Sequence, residues 1–291
     1  MNIKILEPIG YCYGVTKAIN EVKDIKKKYF NKNIFIFGLL IHNEEIINYM
    51  NKLGVTTIDI TKINIIKRLH EFTPYDVVIF TAHGHPKFYE DILKEKGVTF
   101  FSTTCPNVDK NYKLIQESLN NKSEVIFIGD KNHAESITAL SLSSTNIYLY
   151  DLKDKLDYSR IKSTNPTIFS QTTLSKYELM NIDKDIKEHF PNAKFVDEVC
   201  DVARLRQDNI LNIKDNFDLL IIIGSHSSSN TNKLYDLAKA KYKNKMILFI
   251  NSKNELKEYD LKDIKNIVIT SGTSTSLLDI NKIVDYLKTI K

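Results

Sequence analysis

The 291-residue sequence predicts an α/β protein of three small domains with mostly parallel sheets, set in a pseudo-threefold arrangement about a common centre. Three observations predict it. Short runs rich in Ile, Val and Phe recur six times, and each passes through a polar loop into a segment of helical period. The runs are continuously apolar, as strands buried on both faces are, and their alternation with helices argues for parallel sheets. Finally, Cys12, Cys105 and Cys200 divide the chain into three near-equal parts that hold two of the six units each.

In order, NIFIF (33–37) leads into GLLIHNEEIINYM, and DVVIF (76–80) into TAHGHPKFYEDILKE. EVIFIG (124–129) leads into DKNHAESITALS, and PTIFS (166–170) into QTTLSKYELMNIDKDI. DLLIIIG (218–224) leads into SHSSSNTNKLYDLAKA, and NIVIT (266–270) into SGTSTSLLDINKIVDYL. Loops at the carboxyl ends of parallel strands gather at one sheet edge, where ligands bind. Each cysteine directly precedes a further helix-like segment, beginning GVTKAINEVKDIKK, PNVDKNYKLIQESL and DVARLRQDNILNI. A helix N-terminus favours the anionic, ligating form of a thiol, so lowered thiol pKa values are expected. The domains are placed at 1–103, 104–198 and 199–291. No Gly/Ser-rich or Pro-rich linker marks the boundaries, and the polar segment 151–165 has the weakest pattern.

Composition excludes several classes. With 42% hydrophobic and 26% charged residues the chain can bury sizeable cores. The net charge of +5 is mostly Lys spread along the chain, with Arg only at Arg68, Arg160, Arg204 and Arg206, so no nucleic-acid partner is expected. The run Lys23–Phe30 reads as the solvated end of a helix. No stretch approaches the ~20 apolar residues of a membrane helix, and the N-terminus has no signal character, so a cytoplasmic location is expected. An odd number of cysteines without an export signal argues against a disulfide framework.

The cysteines lie in GYCYG, TTCPN and EVCDV, each at a helix start. Zinc usually takes four ligands, often as local C-x-x-C pairs, which are absent. A [4Fe–4S] cluster on three thiolates leaves one iron open, so cluster chemistry at a central cavity fits better than structural zinc. His42, His83 and His133 fall in equivalent strand-to-helix loops, and His226 in a fourth. A lone loop His is more often a surface or core residue, but three imidazoles at helix starts make an anion site. His70, His85 and His189 carry no such support. Ser227-Ser228-Ser229-Asn230 opens a helix, with Ser274 in the matching place of the last unit and Thr172 and Thr173 in the fourth. Any one Ser there reads first as a cap, yet four polar residues exceed what one cap requires. Glu135 is either an exposed first-turn carboxylate favouring the helix dipole or, in a desolvated cleft, a proton donor. No dinucleotide fingerprint or Walker A loop is present.

Nine segments occur in family order: GYCYGVTKAI, LIHNEE, AHGHP, TTCPNV, NHAES, QTTLS, Cys200 to Gln207, SHSSSNTNKL and SGTSTS. By them the chain resembles the hydroxymethylbutenyl diphosphate reductases, the IspH/LytB family, over essentially its whole length. The resemblance implies one [4Fe–4S] cluster on Cys12, Cys105 and Cys200. It implies a diphosphate site of His42, His83, His133, Ser228, Ser229, Asn230 and Ser274, an acid at Glu135, and a substrate-ordering Thr at Thr172 or, by register, Thr173. The activity implied is reductive dehydroxylation of 4-hydroxy-3-methylbut-2-enyl diphosphate to isopentenyl and dimethylallyl diphosphate, the last step of the methylerythritol phosphate pathway. An external one-electron donor, ferredoxin or flavodoxin, is implied as well. The chain departs from the family at Ala134, where many members carry Pro, and at Asp201–Leu205 after the third cysteine. Competing readings are a quinolinate-synthase-like cluster enzyme, a non-catalytic iron–sulfur carrier or sensor, and a zinc hydrolase.

Overall fold

The computed structural model describes residues 1–154, 156–196 and 199–290. They form two compact units, one of Thr16–Val199 and one of Met1–Val15 with Cys200–Lys291.

The unit Thr16–Val199 holds two four-stranded sheets. The first comprises β2 (Asn33–Phe37), β3 (Val55–Ile58), β4 (Asp76–Phe80) and β5 (Thr99–Ser102), in the order β3-β2-β4-β5. The second comprises β6 (Val125–Gly129), β7 (Ile147–Asp151), β8 (Thr167–Ser170) and β9 (Lys194–Phe195), in the order β7-β6-β8-β9. The other unit holds β1 (Asn2–Ile5), β10 (Leu219–Ile223), β11 (Met246–Ile250) and β12 (Asn266–Ser271), in the order β1-β12-β10-β11. Among the described residues all nine strand pairings are parallel. Read from its β11 edge, the last sheet has the same order as the other two.

The six runs expected from sequence are β2, β4, β6, β8, β10 and β12, the two central strands of each sheet. Strand β10 shows why they are apolar throughout. Leu219, Ile221 and Ile223 enter one core cluster, and Leu220 and Ile222 enter the cluster on the opposite face. Likewise Val125 and Phe127 pack on one face of β6, and Ile126 and Ile128 on the other. Each fully buried aliphatic side chain contributes about 1.5–3 kcal/mol.

Helices connect the strands. Those preceding or following the site loops are α1 (Tyr13–Lys28), α2 (Glu44–Lys52), α4 (Lys87–Glu95), α5 (Pro106–Asn120), α6 (Ala134–Ser141), α7 (Lys176–His189), α8 (Asp201–Leu211), α9 (Ser229–Lys241) and α11 (Leu277–Thr289); α3 (Ile65–Glu71) and α10 (Lys253–Leu256) are shorter connectors. Local chemistry fixes their starts. Asn43 caps α2, Ser276 caps α11, and Ser175 with Glu178 makes a full capping box on α7. Helix α1 ends in Lys26, Lys27 and Lys28, which complement the dipole at its C-terminus.

One element departs from the expected grouping. The first strand does not pair within residues 1–103 but lies parallel to β12, with Asn2 opposite Asn266 and Ile5 opposite Ile269. It thereby occupies the fourth-strand position of the last sheet. Each fourth strand leads directly to a cysteine: β5 to Cys105, β9 to Cys200 and β1 to Cys12. The near-equal cysteine spacing therefore reflects one repeated β-strand–cysteine–helix step. Segment 151–165 contains the end of β7 and a short 3₁₀ turn at Tyr158–Arg160.

Candidate active site

In the unit Thr16–Val199, Phe37 pairs with Phe80 and Ile128 with Ser170, so adjacent strands end level and their loops lie side by side. His42 and His83 follow β2 and β4; His133 and Thr172 follow β6 and β8. The three imidazoles form a chain. The His42 and His83 ring centroids are 5.2 Å apart, and those of His83 and His133 are 5.8 Å apart. His133 is the N-cap of α6, and its Nδ1 accepts the Glu135 N–H at 3.2 Å. The neutral ring therefore carries its proton on Nε2.

Burial pulls all three histidines below their ordinary pKa. His83 falls furthest, because His42 and His133 also disfavour its charge, and His133 is brought to about 4. At neutral pH the cluster is three uncharged rings, able to donate hydrogen bonds and to gain protons when an anion arrives.

Glu135, in the first turn of α6, is 1% exposed. Its Oε2 accepts the Thr172 N–H and its Oε1 the Thr172 hydroxyl, each at 2.9 Å. Desolvation outweighs both bonds and pushes the carboxyl up to about 7. Of the two readings of Glu135, the structure matches the desolvated one. Thr173 is otherwise engaged: its hydroxyl accepts from Gln171 Nε2 at 2.8 Å.

Tyr112 of α5 binds behind these loops. Its hydroxyl donates to the His83 carbonyl at 3.0 Å, with the Glu135 carbonyl a second acceptor at 3.4 Å. The ring lies against Gly84, whose φ is +86°, and a Cβ there would come within 2.6 Å of Tyr112. Only glycine meets both demands. Cys105 is the N-cap of the same helix, seven residues earlier.

The other unit carries Cys12, Cys200, Ser228, Ser229, Asn230 and Ser274. Cys200 is the N-cap of α8, and Cys12 Sγ accepts the Val15 N–H at 3.5 Å beside the start of α1. Contrary to the expected lowering, the Cys12 thiol is raised, because burial outweighs the backbone N–H groups of Val15 and Gly14. None of the three cysteines is in a disulfide. A bound metal centre would supply the positive charge that holds Cys12 as a thiolate.

Among the described residues no three His, Cys, Asp or Glu side chains form a site for a single metal ion. Mononuclear zinc needs its donors about 2–2.3 Å from one point, whereas an iron–sulfur cluster takes thiolates on separate irons. Thiols placed at helix starts, as at Cys105 and Cys200, are donors of the kind an iron–sulfur cluster takes.

Ser228 caps α9 through its Oγ, which accepts the Thr231 N–H at 3.3 Å. Asn230 is 3% exposed, and both its amide nitrogen and its amide oxygen lack a hydrogen-bond partner. A buried amide left unpaired costs on the order of 1–3 kcal/mol, so such groups are rare outside ligand sites. Thr231 beside it is wedged against Gly272, where a Cβ would lie 2.0 Å from the Thr231 hydroxyl. Ser274 is buried in the loop after β12, whereas His226 is exposed and pairs with Glu255 at 3.0 Å.

Sequence reasoning passed over two residues here. Tyr112 had one available signal: it follows Cys105 by two helical turns, on the same helix face. Arg206 was read only as part of a motif. It is 1% exposed, with its guanidinium on the backbone of Gly10 and Ser271.

Parallel sheets of one strand order, a buried carboxylic acid and helix starts prepared for an anion define an α/β enzyme class built from a repeated cysteine-bearing unit. A family model described as LytB protein matches residues 3–288. The chain is 33% identical over 295 residues to a 4-hydroxy-3-methylbut-2-enyl diphosphate reductase of Malacoplasma penetrans, covering 99% of this chain and 97% of that one. It is 30% identical to one of Bacillus thuringiensis, over 99% of this chain and 90% of that one. A solved E-1-hydroxy-2-methyl-but-2-enyl-4-diphosphate reductase from Plasmodium falciparum superposes with a TM-score of 0.86 at 27% identity, covering 99% of this chain and 88% of that chain. The chain belongs to the LytB family.

Proposed function

We propose that this chain catalyses the reductive dehydroxylation of 4-hydroxy-3-methylbut-2-enyl diphosphate. The allylic C–OH, two electrons and two protons become a C–H bond and water, giving isopentenyl or dimethylallyl diphosphate according to which allylic carbon takes the proton. The observation that carries the proposal is Glu135: a fully buried carboxylic acid with a pKa near neutrality, gripped by Thr172.

A [4Fe–4S] cluster held by Cys12, Cys105 and Cys200 would supply electrons one at a time, together with a Lewis-acidic iron. The chain's own residues do the rest. His42, His83 and His133 are neutral, so they bind the diphosphate as donors and take up protons as its charge arrives. Ser228, Ser229, Asn230 and Ser274 add hydroxyl, amide and helix-start N–H groups, and Asn230 in particular gains the partners it lacks. Thr172 orders the substrate hydroxyl beside the acid. Glu135, protonated in about half of molecules at pH 7, supplies the proton with which that hydroxyl leaves as water. Desolvation keeps this acid protonated without a strong external acid, and it also excludes competing water.

The proposed electron donor is a small one-electron carrier of ferredoxin or flavodoxin type, and the proposed location is the cytoplasm. No helix among the described residues is long and apolar enough to cross a membrane. A quinolinate-type enzyme would bind a dicarboxylate-like intermediate, whereas the hydroxyls, amide and helix-start N–H groups of Ser228, Ser229 and Asn230 favour a diphosphate. A pure carrier would have no use for Glu135.

Anaerobically reconstituted protein, given dithionite-reduced methyl viologen and hydroxymethylbutenyl diphosphate, should form both isopentenyl and dimethylallyl diphosphate by mass spectrometry. Cluster-replete protein that consumes no substrate would refute the proposal.

A further inference from the structure

Arg206 is the largest fully buried side chain among the described residues, at 1% exposure, and none of its partners is a carboxylate. Nη1 donates to the Ser271 carbonyl at 2.7 Å and to Ser271 Oγ at 3.3 Å; Nη2 donates to the Gly10 carbonyl at 2.5 Å. Nε is buried and unpartnered. The carboxylate that acts on it, Glu7, is exposed and turned to the Ile9 N–H at 3.0 Å. Burial lowers the guanidinium only to about 10, so it remains a cation at neutral pH.

Burying a guanidinium on neutral acceptors alone is unfavourable, and folds retain such a group where a buried negative charge faces it. The groups that act on Arg206 more strongly than Glu7 are the sulfurs of Cys12 and Cys200. The placement is also connective. Arg206 lies on α8, which begins after Cys200, and grips Gly10, two residues before Cys12. Ser271 Oγ, which the guanidinium also touches, accepts the Gly10 N–H at 3.0 Å. One side chain thus ties two of the three cysteine segments together from within.

We propose that Arg206 is the internal counter-charge of the thiolate-bound cluster, raising its reduction potential while fixing the Cys12 loop to the Cys200 helix. The inference rests on the cluster reading given above. Each electron taken from the one-electron donor makes the cluster one unit more negative, and a fixed buried cation stabilises the reduced form more than the oxidised one. Lysine would keep the charge but not the planar fork. Glutamine would keep part of the hydrogen bonding but no charge.

The test is an EPR-monitored redox titration of the cluster-loaded full chain with dithionite and mediators, without substrate, in wild type, Arg206→Gln and Arg206→Lys. Arg206→Gln should disfavour reduction at least tenfold, a drop of about 59 mV for one electron, and should lose iron faster on dilution. Arg206→Lys should stay within about threefold of wild type, about 30 mV. An unchanged potential in Arg206→Gln overturns the proposal, and so does a drop in Arg206→Lys as large as that in Arg206→Gln. If Arg206→Gln fails to fold, Arg206→Met, which likewise removes the charge, is held to the same tenfold drop. Wild-type protein that assembles no cluster would instead refute the underlying functional reading and this proposal with it.

Discussion

Replacing Glu135 by Gln keeps the shape of the acid and removes its proton. Its carboxyl lies at about 7 instead of 4.5, an environmental bias of about 3 kcal/mol toward the protonated form. With that pKa about half of wild-type molecules are protonated at pH 7, about a tenth at pH 8 and about a hundredth at pH 9. Wild-type kcat/KM should therefore be level below pH 7 and fall about tenfold per unit well above it. Glu135→Gln should lower kcat by about 10²–10⁴ and abolish that limb. The amide can still meet Thr172 through one accepting and one donating group, so iron content should match wild type.

Stability should move the opposite way. The unfolded carboxyl ionises near 4.5 and the folded one near 7, so its contribution is fully present below pH 4.5 and is lost as pH rises through 7. Glutamine has no such loss, and the variant should gain up to about 3 kcal/mol on wild type by pH 8. Turnover from pH 6 to 9 and denaturant melts at pH 4.5 and 8 measure both effects. Variant activity within tenfold of wild type, or a limb near pH 7 that persists in the variant, would refute the reasoning.

Three further perturbations probe other parts of the site. Asn230→Ala removes two buried groups that have no protein partner, so inorganic diphosphate should bind about 10–100-fold more weakly by calorimetry while stability changes by under about 1 kcal/mol; a large stability loss with unchanged binding contradicts a ligand role. Tyr112→Phe keeps the ring against Gly84 but frees the His83 carbonyl, and kcat/KM should fall about fivefold to tenfold; an equal loss of stability with no change in kcat/KM would make Tyr112 purely structural. Cys105→Ser should sharply reduce iron and sulfide content after anaerobic reconstitution, and full content would remove Cys105 from the ligand set.

What the sequence makes legible here follows burial. Strands β2, β4, β6, β8, β10 and β12 stand out because both of their faces are covered, which leaves no polar alternation. Edge strands such as Val55–Ile58, Thr99–Ser102 and the two-residue Lys194–Phe195 are partly exposed, short and mixed, so no period marks them. Pairing of Asn2–Ile5 with β12 joins residues more than 260 positions apart and leaves no local trace. Loop residues were legible by their place after a central strand: His42, His83, His133 and Ser228 all lie where strand ends bring them. The raised Cys12 thiol was not, because a helix start is visible in sequence and desolvation is not. Arg206 was hidden for a related reason. Nothing in an Arg six residues after Cys200 distinguishes an exposed helical cation from one buried against two backbone carbonyls, and only the packing decides.

The most direct test of the account is the Mössbauer spectrum of iron-57-labelled, anaerobically prepared protein, recorded with and without hydroxymethylbutenyl diphosphate. The account predicts a four-iron cluster in which one iron site changes on adding this substrate. A four-iron cluster indifferent to the substrate, or no cluster at all, would contradict it.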